Sequence, residues 1–146
     1  MTQGQIMTNG SRRSVFTPKP MEQGRHLAYK QAMEGEYVFG VDRGNSPPLE
    51  TYNQATAELQ GIIQACVREG KLLRAHGSLW SLSTVAVTAG RLIDNTALRL
   101  SFEVPADLAE PAYAGETAKL RFIECGNSVA ALNDHLFSNG LSIKGC

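Results

Sequence analysis

A chain of 146 residues is long enough for one domain's core, and its 14 basic and 14 acidic side chains leave no net charge. With no basic stripe and no acidic tail there is no footprint for nucleic acid, and no apolar run approaches the roughly 20 residues that span a bilayer. Cys66, Cys125 and Cys146 have spacings that fit neither a zinc site nor a disulfide framework. No apolar stretch follows Arg12 and Arg13, so no secretory signal is read, and a reduced cytoplasm is the economical location.

Residues 1–20 are polar and close on Pro18 and Pro20, and they read as a tail. A short helix is expected over 21–35 and a brief strand at Tyr37-Val38-Phe39; the paired prolines of GNSPP at 44–48 then punctuate the chain. Residues 1–45 are therefore set apart from an organised domain over 46–146. The strongest helical pattern spans 54–69, where Leu59, Ile62, Ile63, Cys66 and Val67 form one apolar stripe. Asn53 or Thr56 suits its start, Gly70 its end, and Gly61 is tolerable where the helix lies close to a sheet. Cys66 on that stripe reads as a buried, inert thiol.

A short strand from Leu72 to Ala75 runs into the small-residue loop Gly77-Ser78-Leu79-Trp80-Ser81-Leu82-Ser83, and a second strand centres on Leu92 and Ile93. Leu100, Phe102 and Val104 alternate with Ser101 and Glu103, as in a half-buried strand. The acidic, proline-containing stretch 105–117 has no period. Residues 118–125 resume as a strand, Ser128 caps a helix over 129–139, and Asn139-Gly140 closes it. Leu141 and Ile143 look like the start of another strand. The order describes an α+β fold, a small mixed sheet covered by two helices. An apolar strand that has just begun reads as a fragment or a truncated product, with an edge left for a partner chain or a second copy.

A tight Gly/Ser loop straight after a strand converges backbone N–H groups on one point, which suits a phosphate without a dedicated cation. The same residues also serve ordinary turns. Arg74-Ala75-His76-Gly77-Ser78-Leu79-Trp80-Ser81-Leu82-Ser83 followed by Val85-Ala86-Val87-Thr88-Ala89-Gly90 resembles the flavin signature of the vanillyl-alcohol oxidase and aldonolactone oxidase superfamily. Cys125-Gly126, Leu132, Leu136 and Gly140-Leu141 resemble that family's later strand–helix unit, so the likeness spans roughly 46–146. The resemblance implies the first subdomain of a PCMH-type FAD-binding domain, in a parent that oxidises an alcohol, sugar or lactone. The second subdomain and the substrate domain would then lie beyond Cys146, and the 146 residues alone would be inactive.

By the same resemblance Gly77, Ser78, Leu79, Trp80, Ser81 and Ser83 would line the FAD pyrophosphate. Leu79 stands where the family has glycine, which matters if the backbone there needs a positive φ. Trp80 stands where many members carry the flavin-linking histidine, so FAD would be held non-covalently. Ala89 replaces a turn aspartate. Arg74 reads as an exposed strand charge, His76 as a surface or loop histidine, and His135 as facing away from the apolar stripe of its helix. No histidine is expected near a carboxylate or cysteine cluster, so no metal site is read, and no catalytic residue is assigned. A non-catalytic interaction or assembly module on the same scaffold is the alternative, with Leu79 and Trp80 used for packing.

Overall fold

The computed structural model describes residues 14–24, 26–39, 46–79 and 82–143. The chain divides into two units, residues 1–97 and 98–146. In the first, β1 (Ser14–Pro18) lies at the edge of a four-stranded sheet, and β2 (Met21–Gln23) and β3 (Lys30–Ala32) form a separate hairpin. β4 (Gly35–Phe39) pairs antiparallel with β1. α1 (Pro48–Arg68) then leads to β5 (Leu73–His76), and β6 (Arg91–Asp94) inserts between β4 and β5, parallel to both. The sheet is therefore small and mixed, within an α+β chain that has two α-helices among the described residues, one in each unit.

Register assigns the faces. Leu92 aligns with Glu36 on one side and Arg74 on the other. Side chains alternate along a strand, so Glu36, Arg74, Leu92 and His76 share one face, while Tyr37, Phe39, Arg91 and Ile93 share the opposite one. On the first face Leu92 is fully buried against Met33 and Val87, with Tyr29 and Leu79 packed alongside. The opposite face meets α1 through Arg91, which donates to Glu69 at 2.5 Å and to the Tyr37 hydroxyl at 3.2 Å, with the Cys66 sulfur 3.9 Å away. The same guanidinium lies over the Phe16 ring, 5.2 Å from its centroid. Burial works against its charge, but the Glu69 hydrogen bond and the Tyr37 and Cys66 contacts raise its affinity for the proton beyond even the usual arginine value.

Several expectations change. Residues 14–32, read as tail and short helix, supply β1 to β3 instead, while the brief strand expected at Tyr37-Val38-Phe39 is the end of β4. The paired prolines do not delay the helix: Pro48 is its first residue, where a missing N–H loses nothing. Neither Asn53 nor Thr56 caps it, since it begins earlier. Its buried stripe is Ala55, Ile62 and Cys66, whereas Ile63 and Val67 are exposed, one residue and so about 100° further round the helix. Gly61 has open space where a Cβ would stand, so it marks no close approach to a sheet. Gly70 does take the left-handed conformation after the last turn, at φ +64°.

In the second unit, β7 (Ser101–Glu103) pairs antiparallel with β8 (Arg121–Ile123), with the Phe102 and Phe122 rings stacked 4.9 Å apart. The Glu124 side chain accepts from the Leu100 N–H at 2.7 Å, and the Glu124 N–H donates to the Leu100 carbonyl at 2.9 Å. The aperiodic stretch between them holds three 3-10 turns, at Ala106–Leu108, Pro111–Tyr113 and Thr117–Lys119. α2 (Val129–Ser138) is capped as its sequence implies, Ser128 Oγ accepting from the Ala131 N–H at 3.1 Å. Residues 141–143 form no strand, and 144–146 lie outside the described residues.

Candidate functional site

The parallel strands β4, β6 and β5 all point their C-terminal ends to one edge, and the loop after His76 leaves from that edge. In open α/β sheets this is the edge where ligands bind. Gly77 and Ser78 are exposed there and Leu79 is half-buried; Ser83 is exposed at the entry to a 3-10 turn, Thr84–Ala86. Trp80 and Ser81 lie outside the described residues. The chain then returns to the sheet through buried Val87, Thr88 and Gly90.

Leu79 has φ +55°, a left-handed conformation that costs a non-glycine residue about 1–2 kcal/mol. The backbone at Leu79 thus does carry a positive φ. Its side chain packs against Met33, Val87 and Leu92, which helps to hold the strained backbone. The order of two substitutions reports this balance. Leu79→Ala loses the packing and keeps the strain, whereas Leu79→Gly loses the packing and removes the strain. Leu79→Gly is expected to be the more stable variant by about 1 kcal/mol, the reverse of the usual alanine-over-glycine order. Chemical denaturation of the two variants measures it, and alanine proving the more stable would exclude a strained turn.

Arg74, read as a plain strand charge, holds the far side of the loop: its Nη1 donates to the Val85 carbonyl at 2.6 Å. His76 requires a larger correction. It is buried, not a surface or loop histidine, with Nε2 2.5 Å from Glu36 Oε1 and Nδ1 2.8 Å from the Gly77 carbonyl. Glu36 also receives the Lys19 ammonium at 3.1 Å, and the same ammonium hydrogen-bonds Glu22. Burial pulls the Lys19 proton affinity down, but the hydrogen bonds to Glu22 and Glu36 outweigh it and raise it above the ordinary lysine value.

Glu22, Glu36 and His76 together offer three metal-ligand atoms within 4.8 Å of one another, all from buried residues, so a histidine does sit in a carboxylate cluster. Lys19 already places a positive charge on both carboxylates, and a metal ion would have to displace it. Nearby, Lys71 hydrogen-bonds Glu34 at 2.7 Å and holds its carboxyl below the usual carboxylate range. In the second unit His135 does not turn away from its helix's apolar side. It is half-buried beside Leu132 and lines a concavity with Ser101, Arg121 and Asn127.

No family model, curated protein or solved structure matches this chain. Among the described residues no helix is long and apolar enough to cross a membrane.

Proposed function

We propose that the 77–83 loop holds the pyrophosphate of a non-covalently bound FAD, as the cofactor-binding portion of a flavin-dependent oxidoreductase acting on an alcohol, sugar or lactone. The observation that carries this reading is Leu79, a bulky residue kept at φ +55° in a loop at the C-terminal edge of parallel strands. A left-handed residue in a tight turn lets successive N–H groups converge on an anion, and strain of this kind concentrates at ligand clamps. Space supports the same reading: no described atom lies within 4 Å of the position a Gly77 Cβ would take, so backbone is open to a ligand there. The FAD identity rests on the resemblance of residues 74–90 and 125–141, which lie in the first and second units respectively. Bound FAD would supply a hydride acceptor, and the loop would bind and orient it.

Gly77→Val separates ligand effects from fold effects, because the added carbons enter open space. The variant is expected to melt within a few degrees of wild type and to bind FAD at least about tenfold more weakly, a change of about 1.4 kcal/mol. Ser78→Arg is expected to lose FAD likewise. Wild-type affinity in either variant would count decisively against the phosphate loop.

A second reading is favoured by the contacts of Leu79 with Met33, Val87 and Leu92: the loop packs the scaffold of a non-catalytic assembly module. That reading expects a folded chain that ignores FAD and associates with a partner or with itself. A monomer by size-exclusion chromatography that retains FAD would exclude it.

A further inference from the structure

We infer that His76 is a positioning residue that sets the direction of the Gly77–Ser78 peptide and so orients the Ser78 N–H of the proposed phosphate loop. The inference rests on the loop reading above and adds to it a residue outside the glycine–serine motif. The Gly77 carbonyl can only accept, so the 2.8 Å contact requires the hydrogen on His76 Nδ1. That bond draws the carbonyl toward a buried ring. None of the described peptide bonds is cis, and in a trans peptide the N–H points opposite to the C=O. With the Gly77 carbonyl held inward, the Ser78 N–H is turned toward the exposed side of the loop, and the left-handed Leu79 follows directly.

The ring is itself held from behind. Glu36 on β4 meets Nε2 at 2.5 Å, and Lys19 fixes Glu36 through its other carboxylate oxygen at 3.1 Å. The imidazole is thus clamped at both nitrogens, and its orientation cannot drift without breaking a buried contact. The sequence alone suggests a surface or loop histidine at 76, whereas the geometry makes it the support on which the Gly77–Ser78 peptide rests.

The test uses isotope-labelled full chain and compares His76→Asn with His76→Gln. An asparagine amide nitrogen can take the place of Nδ1 and keep the bond to Gly77, whereas a glutamine amide reaches the place of Nε2 and keeps only Glu36. His76→Asn is expected to leave the Ser78 amide resonance near its wild-type position and to bind FAD and inorganic pyrophosphate within about threefold of wild type. His76→Gln is expected to shift the Ser78 resonance and weaken both ligands about tenfold or more, the order of one hydrogen bond's worth of affinity. Wild-type imidazole nitrogen spectra give a check that needs no variant, since Nδ1 must carry a hydrogen. An unmoved Ser78 amide in His76→Gln, or an unprotonated Nδ1 in wild type, would overturn the inference whatever the ligands do. Wild-type chain that binds neither FAD nor pyrophosphate would overturn the phosphate reading instead, and the amide and imidazole spectra would still decide the role of His76.

Discussion

Gly90→Ala is expected to unfold the first unit or bring it close to unfolding, with a loss of about 3 kcal/mol or more. A Cβ on Gly90 would stand 2.3 Å from the Leu72 carbonyl oxygen, 2.9 Å from the Leu72 Cβ and 3.0 Å from its carbonyl carbon. Two of those three atoms are backbone, and they cannot swing aside as a side-chain tip does. The surrounding chain is pinned as well. The Arg91 N–H donates to that same Leu72 oxygen at 2.8 Å, and the Glu34 N–H donates to the Gly90 carbonyl at 2.8 Å. Three segments meet at this point: the entry to β4, the entry to β5 and the start of β6. Relief of the clash therefore breaks the parallel pairing that places the loop. For a unit of this size each kcal/mol lowers the melting temperature by about 4–8 °C, so a drop of at least about 12 °C is expected by circular dichroism. Gly61→Ala in α1, with open space around it, should instead raise stability by about 0.5–1 kcal/mol. Equal melting temperatures for the two alanine variants would contradict the close approach at Leu72.

The second large effect belongs to Lys19. Glu22 and Glu36 have side chains only 8% and 11% exposed, and the Lys19 ammonium neutralises both. Lys19→Met leaves two carboxylates facing each other with little solvent. Breaking such a buried pair costs about 3–5 kcal/mol when both members are enclosed. Lys19 itself is 36% exposed, so screening reduces this to about 2–3 kcal/mol. The sign with pH follows from the raised proton affinity of Lys19 in the folded chain. Its contribution is complete below the unfolded value of 10.5 and disappears as pH rises through the higher folded value. Wild type should thus lose stability on the alkaline side above about 10.5, and Lys19→Met should be flatter there. Urea titrations at pH 8 and above 10.5 measure both, and parallel losses in the two proteins would contradict the assignment.

How far the sequence reaches depends on the range of each interaction. α1 and α2 are legible because their signals are local: a 3.6-residue apolar period, a serine cap at 128 and glycines at 70 and 140 with φ of +64° and +68°. β1 to β3 are illegible because strands of three to five residues are too short for a period, and β1, on the sheet edge, buries none of its five residues fully. The stripe on α1 is overread at Ile63 and Val67, since composition does not say where a buried arc ends. The loop's position after β5 is legible from its glycine and serines, but the left-handed backbone at Leu79 is not, because a leucine carries no local signal for a positive φ. His76 is not, because its partner Glu36 is 40 residues away and nothing near it in sequence marks it as buried. The close approach at Gly90 is equally long-range, made by the carbonyl of Leu72 across the strand pair.

Trp80 is the only tryptophan in the chain and belongs to the loop motif, so its fluorescence reports on the loop alone. Titrating the purified chain with FAD, in competition with inorganic pyrophosphate, tests the phosphate loop most directly. Saturable quenching of Trp80 that pyrophosphate reverses, and that Gly77→Val abolishes without changing the fold, is the expected result. Emission that stays unchanged by FAD, with no flavin retained after desalting, would contradict the loop as a pyrophosphate site.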